Sequence, residues 1–150
     1  MEPIVFAGTE GDFHGLGPVR YRILAEGPDL PVAIVESTVP AGFPGPVRHR
    51  HATMTDIFYV MEGTLAFDLG GERRTLGPGG FVLVPPGVVH TFSNPAMEPA
   101  RFLNMYQPGG LEQYLKEVAR RAVAGEAMSQ AAMAEIAMRY DFESVTTDEN

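Results

Sequence analysis

Cysteine is absent from this 150-residue chain. Its absence removes disulfide staples, thiolate metal ligands and cysteine nucleophiles, so any metal chemistry here has to run through nitrogen and oxygen donors. Basic residues are few as well: 11 Lys and Arg stand against 19 Asp and Glu, a formal charge of −8. That balance argues against nucleic acid as a partner, because such binding rests on Lys and Arg neutralising phosphates. Long apolar runs are missing too, and nothing approaches the roughly 18 residues that cross a bilayer. The first residues, Met1 to Ala7, lack the basic stretch of a leader peptide. The expectation is a cytoplasmic protein with neither a membrane nor a nucleic-acid partner.

What the chain does have is turn chemistry. Its 17 Gly and 13 Pro are scattered between short apolar runs, a pattern that predicts many tight turns joining short strands in a sandwich or barrel. The length suits one domain with a core large enough to stand without disulfides. Ile4 to Ala7 reads as an edge strand, followed by a glycine-rich loop in which His14 is a solvated side chain rather than a ligand. Arg20 to Ala25 and Leu30 to Val39 read as strands, and Pro40 to Pro46 as a loop, because three of its seven residues lack a backbone donor. Asp56 to Met61 is apolar on both faces after its first residue and so needs cover on both sides. Gly70-Gly71 predicts a tight hairpin between Thr64–Leu69 and Glu72–Leu76. Phe81 to Val84 and Phe102 to Tyr106 complete the strands.

After Gly110 the composition shifts to Ala, Glu, Arg and Met. Leu111, Tyr114, Leu115, Val118 and Ala122 fall at helical spacing, and Ala132, Met133, Ile136, Ala137 and Tyr140 repeat the pattern behind Ser129 as an N-cap. The reading is therefore a β-barrel over residues 1–108, a helical hairpin over 109–142 packed on the barrel or on a partner subunit, and a frayed tail over 143–150.

The stretch Val-Arg-His-Arg-His-Ala-Thr-Met-Thr-Asp, from Val47 to Asp56, holds two of the four histidines one residue apart. On a strand such a pair shares a face. His49, His51, a four-residue gap, Asp56, six residues and Gly63 resemble the first motif of the cupin superfamily, although the carboxylate is Asp rather than Glu and Phe43 stands where that motif opens with glycine. The second cupin motif is similar at each of its named positions, Gly79, Pro85, Gly87, His90 and Asn94. The resemblance implies an all-β jelly-roll barrel in which His49, His51, Asp56 and His90 hold one divalent transition metal: Fe, Mn, Ni, Co, Cu or Zn. Met54, Phe58, Val60 and Phe92 would then form the substrate pocket, and Asp56 would double as catalytic base. A metal carrying net positive charge after one carboxylate favours an anionic oxygen donor as substrate. The helical extension resembles that of small quercetinase-type cupins and points to a dioxygenase of an enolic or phenolic compound. An isomerase that needs no O2, or a small-molecule binding module without turnover, shares the same donor set. The apolar outer faces of Asp56–Met61 and Phe81–Val84 exceed what one helical hairpin covers, which predicts a homodimer.

Overall fold

The computed structural model describes residues 1–146. Two antiparallel sheets face one another. The first has the order β1(Asp12–Leu16)-β2(Val19–Ala25)-β3(Ala33–Val39)-β10(Ala100–Gln107)-β5(Thr55–Glu62)-β8(Phe81–Val84). The second runs β11(Glu143–Ser144)-β4(His49–Arg50)-β9(His90–Ser93)-β6(Leu65–Leu69)-β7(Glu72–Leu76). This is the jelly-roll that the resemblance implied, and the alternation inside each strand shows why it closes. Ala33, Val35, Ser37 and Val39 of β3 are buried while the residues between them are only partly covered, and Ala100, Phe102, Asn104 and Tyr106 of β10 do the same. At the hairpin, Gly70 and Gly71 both take positive φ, 62° and 93°, as a two-residue turn of this hand requires.

The interior divides into two clusters. Phe58, Val60, Leu65, Phe67, Val82, Val84 and Phe102 fill one end. At the other end Ile23, Val35, Met54 and Tyr106 of the barrel meet Leu111, Tyr114, Val118, Ile136 and Phe142. Helices α1(Leu111–Val123) and α2(Gln130–Ala137) therefore close this second end of the barrel. The expected cap holds: Ser129 Oγ accepts from Ala132 N at 3.1 Å. Among the described residues no helix is long and apolar enough to cross a membrane.

Two local expectations fail. Residues 4–7 form no strand; the edge strand is β1, which carries His14 and folds onto β2 through a tight turn with Leu16 opposite Val19. The hairpin partner decides this, since β1 has a full register on β2 whereas residues 4–10 meet the sheet only through the Arg22 guanidinium at Ala7 O and Glu10 O. His14 is accordingly half-buried, with Nε2 2.8 Å from the Asp12 carboxylate, rather than solvated in a loop. Nor does the tail fray where residues 143–145 are concerned. Glu143 and Ser144 pair with Arg50 and His49, Val145 N donates to Arg48 O at 2.8 Å, and Val145 is buried. Residues 147–150 lie outside the described residues.

Candidate metal centre

Each donor reaches the centre because its strand register puts it there. His49 on β4 lies directly opposite His90 on β9, and Asp56 at the start of β5 lies opposite Tyr106 on the facing sheet. His51 follows β4 by one residue. One ligand atom from each of His49, His51, Asp56 and His90 lies within 4.8 Å of the other three, and all four residues are buried. Sequence distance, which separates His90 from Asp56 by 34 positions, disappears.

The hydrogen bonds fix the chemistry of the imidazoles. His49 Nδ1 is 2.7 Å from Val47 O, His51 Nδ1 is 2.6 Å from Asp141 O, and His90 Nδ1 is 3.0 Å from Val88 O. A carbonyl only accepts, so all three Nδ1 atoms donate, and each neutral ring presents its Nε2 lone pair inward. This is the tautomer that a metal requires. Nε2 of His51 is buried with no hydrogen-bond partner, and it lies 3.5 Å from Asp56 Oδ2, while His90 Nε2 lies 3.1 Å from the same oxygen. Lone pairs facing a carboxylate repel one another unless a cation sits among them. Donors bound at about 2.1 Å and about 90–110° apart stand roughly 3–3.5 Å from each other, and the His90 and His51 nitrogens lie 3.1 and 3.5 Å from Asp56 Oδ2. The three imidazoles and the carboxylate thus fit a divalent ion.

Asp56 is held from behind. Its Oδ1 accepts from Asn104 Nδ2 at 2.6 Å, Asn104 Nδ2 also reaches Ile57 O at 3.0 Å, and Asn104 Oδ1 accepts from Tyr106 OH at 2.8 Å. The shorter reach of Asp compared with Glu is met by the backbone of β5, which places Oδ2 at the imidazoles while Oδ1 stays in this network. Burial pushes the Asp56 carboxyl upward, but the neighbouring His51 and His90 rings outweigh it and bring the group below the ordinary Asp value. Burial, followed by the neighbouring His90, holds His49 down at about 3. The centre therefore pairs an ionised carboxylate with a neutral His49.

The last described segment closes the site. Phe142 stacks on His49 with centroids 4.1 Å apart and planes 14° from parallel, and Tyr114 of α1 stacks on Phe142 in turn at 5.7 Å. Asp141 accepts from Ala52 N, Thr53 N, Thr53 Oγ1 and Met54 N at 2.6 to 3.0 Å, and so clamps the loop that follows His51. Asn104, Tyr106, Asp141 and Phe142 escaped the sequence reading. Asn104 had a signal, a polar residue on the inward row of an apolar strand; Asp141 and Phe142 had none in their local spacing.

A cavity of about 190 Å³ opens onto His49 and Asp56. Its walls are aromatic and aliphatic, including Phe43, Phe92, Phe102, Tyr106 and Phe142, and no Lys or Arg among the described residues lines it. Of the four expected pocket residues, Phe92 lines it. Met54 packs among Tyr106, Tyr114 and Ile136 instead, and Phe58 and Val60 lie in the apolar cluster at the other end, because inward positions along β5 step away from the site with each pair of residues.

Residues 35–106 match the family model described as a cupin domain. The chain is 34% identical over 92 residues to the quercetin 2,3-dioxygenase of Bacillus subtilis (strain 168), an alignment covering 60% of this chain and 27% of that protein. A second curated relative, from Methanocaldococcus jannaschii, is 28% identical and covered to 56%, so the chain spans well under two thirds of either. Among solved structures, KdgF from Halomonas sp. superposes with a TM-score of 0.64 at 23% identity, covering 72% of this chain and 96% of that one. A sugar phosphate isomerase of the same superfamily from Silicibacter pomeroyi gives 0.56 at 22% identity, covering 63% and 62%. At such identities these two structures speak for the fold alone.

Proposed function

The chain is a small member of the cupin superfamily, and from that premise we propose that it is a metal-dependent oxygenase acting on a small enolic or phenolic compound. The observation that carries this is the convergence of three inward Nε2 lone pairs and one carboxylate oxygen, with His49 and Asp56 lining a small aromatic cavity that has no cationic residue among the described residues. His49, His51 and His90 through Nε2 and Asp56 through Oδ2 would hold the ion. A first-row divalent metal bound there supplies Lewis acidity toward an anionic oxygen and redox chemistry with dioxygen.

The chain's own residues do the rest. Asp56 Oδ2 is the acceptor for the proton of the substrate hydroxyl, and Asn104 holds the other carboxylate oxygen by a hydrogen bond of 2.6 Å. Phe92, Phe102 and Phe142 exclude water around the reacting oxygen. The cavity is smaller than the ~300 Å³ at which drug-sized ligand pockets begin, so the substrate is monocyclic in scale, flavonol-like in its enol chemistry but smaller. A sugar phosphate or a sugar acid finds no cation to pair with in this lining, which weighs against the isomerase reading.

Metal analysis and oxygen consumption test this together. The purified protein should hold about one divalent ion per chain, and His90→Ala or the His49→Ala/His51→Ala pair should lose it, since removal of a ligand costs more than the about 10- to 100-fold attached to loss of its supporting partners. With a panel of small phenols and enols the metal-loaded protein should take up O2. A wild type that refuses Fe, Mn, Co, Ni, Cu and Zn overturns the metal reading. A loaded protein that binds such compounds and consumes no O2 is a binding module.

A further inference from the structure

Besides Tyr114 on α1, two hydroxyls line the same cavity as His49 and Asp56 without a hydrogen-bond partner among the described residues: Tyr21 on β2 and Ser37 on β3. They are direct cross-strand partners in the register of those strands. Ser37 is 3% exposed, and it is the one polar residue on an inward row otherwise made of Ala33, Val35 and Val39. Two other hydroxyls are satisfied within the protein: Tyr106 donates to Asn104 Oδ1 and Thr91 to Pro46 O. Neither the Tyr21 nor the Ser37 hydroxyl is shut away from the cavity, so each is placed to donate to a ligand in it. Burial, followed by the neighbouring Tyr114, raises the Tyr21 phenol above its ordinary value, so it stays protonated and can donate.

Their position relative to the metal centre sets the shape of the ligand. Ser37 pairs with Phe102, which pairs with Val60, whereas Asp56 pairs with Tyr106. Ser37 is therefore two strands across from Asp56 and Tyr21 three, about 10 and about 14 Å, and both lie four residues along, about 13 Å, at the level of the backbone, with side chains reaching inward to shorten these distances. Phe92 and Phe102, edge to face at 5.3 Å, are walls of the same cavity and suit an aromatic ring.

We propose that Tyr21 and Ser37 are specificity-determining residues that donate hydrogen bonds to a second oxygen of the substrate, remote from the oxygen delivered to the His and Asp cluster. The substrate class narrows to small phenols or enols carrying a carbonyl at the far end. This rests on the phenolic reading above, and the test separates the two. Zinc-loaded protein, which binds without redox turnover, is titrated by calorimetry with 4-hydroxyacetophenone and with 4-ethylphenol, two molecules of closely similar shape of which only the first has the distal carbonyl. Wild type should prefer the ketone by about 10- to 100-fold. Tyr21→Phe and Ser37→Ala should each reduce that preference, and together abolish it, while 4-ethylphenol affinity, zinc content and melting temperature stay as in wild type. Binding of 4-ethylphenol with no preference for the ketone in wild type, a comparison that needs no variant, overturns the hydroxyl pair alone. A preference that survives the double substitution does the same. If neither phenol binds the zinc-loaded wild type, the phenolic reading falls and the assignment falls with it.

Discussion

Asp141 shows how much one residue outside a motif contributes. It sits at φ 54°, in the left-handed region that Asp tolerates through local hydrogen bonding. From there its carboxylate caps Ala52, Thr53 and Met54 while its carbonyl orients His51. Asp141→Ala should cost about 1–3 kcal/mol for the uncapped donors and about 10-fold or more in metal affinity, read from the melting temperature and from chelator competition. Unchanged affinity would mean that His51 is held without it. The four donors were legible in sequence because fixed spacings on short strands carry them. Gly63 was legible too: at φ 74° a Cβ there would meet Pro99 O at 2.4 Å. Gly45 lies two residues after the position where the first motif opens, and a Cβ on it would come within 1.7 Å of Phe92 O. Asp141, Phe142, Tyr21 and Ser37 stayed hidden, because a cap, a ring stack and an unpaired hydroxyl follow from tertiary approach and leave no period in the chain.

The elements were read by their periods, and where a period was weak the reading slipped. The helical stripes gave α1 and α2, whereas β11 is two polar residues whose strand character comes from β4 alone. The helices are tied together by Glu117 of α1, which accepts from Arg121, Arg139 and the Tyr140 hydroxyl at 2.8, 2.7 and 2.5 Å. Tyr140 first, then Arg139 and Arg121, hold the Glu117 carboxyl down at about 2 against an ordinary 4.5. A folded-state value below the unfolded one stabilises fully above the unfolded value and fades as pH falls through the folded one. Wild type should therefore melt higher than Glu117→Gln above pH 4.5, with the gap closing between pH 4.5 and 2. A gap independent of pH in thermal melts would mean that the carboxylate's charge does not secure the helices. Because Tyr140 and Asp141 are adjacent, loosening this contact should also loosen the His51 clamp.

For the molecule as a whole, the helices close the metal end of the barrel and leave another face bare. Tyr59, Phe81 and Leu83 are 43%, 57% and 50% exposed on the outer surface of β5 and the edge strand β8, with Tyr59 directly opposite Phe81. We propose that a second copy of the chain covers this patch about a two-fold axis. Light scattering at tens of micromolar should give a dimer, and Phe81→Glu with Leu83→Glu a monomer; a monomeric wild type would leave the patch solvated. A different consequence follows from the clamp on His51, whose partner Asp141 lies 90 positions further along the chain. At roughly 5–20 residues per second, a ribosome makes Asp141 about 5–20 s after His51. During that interval the nascent chain carries two of its imidazoles with nothing to orient the second. Tight binding of the ion proposed for this centre would thus wait until residue 141 has been made.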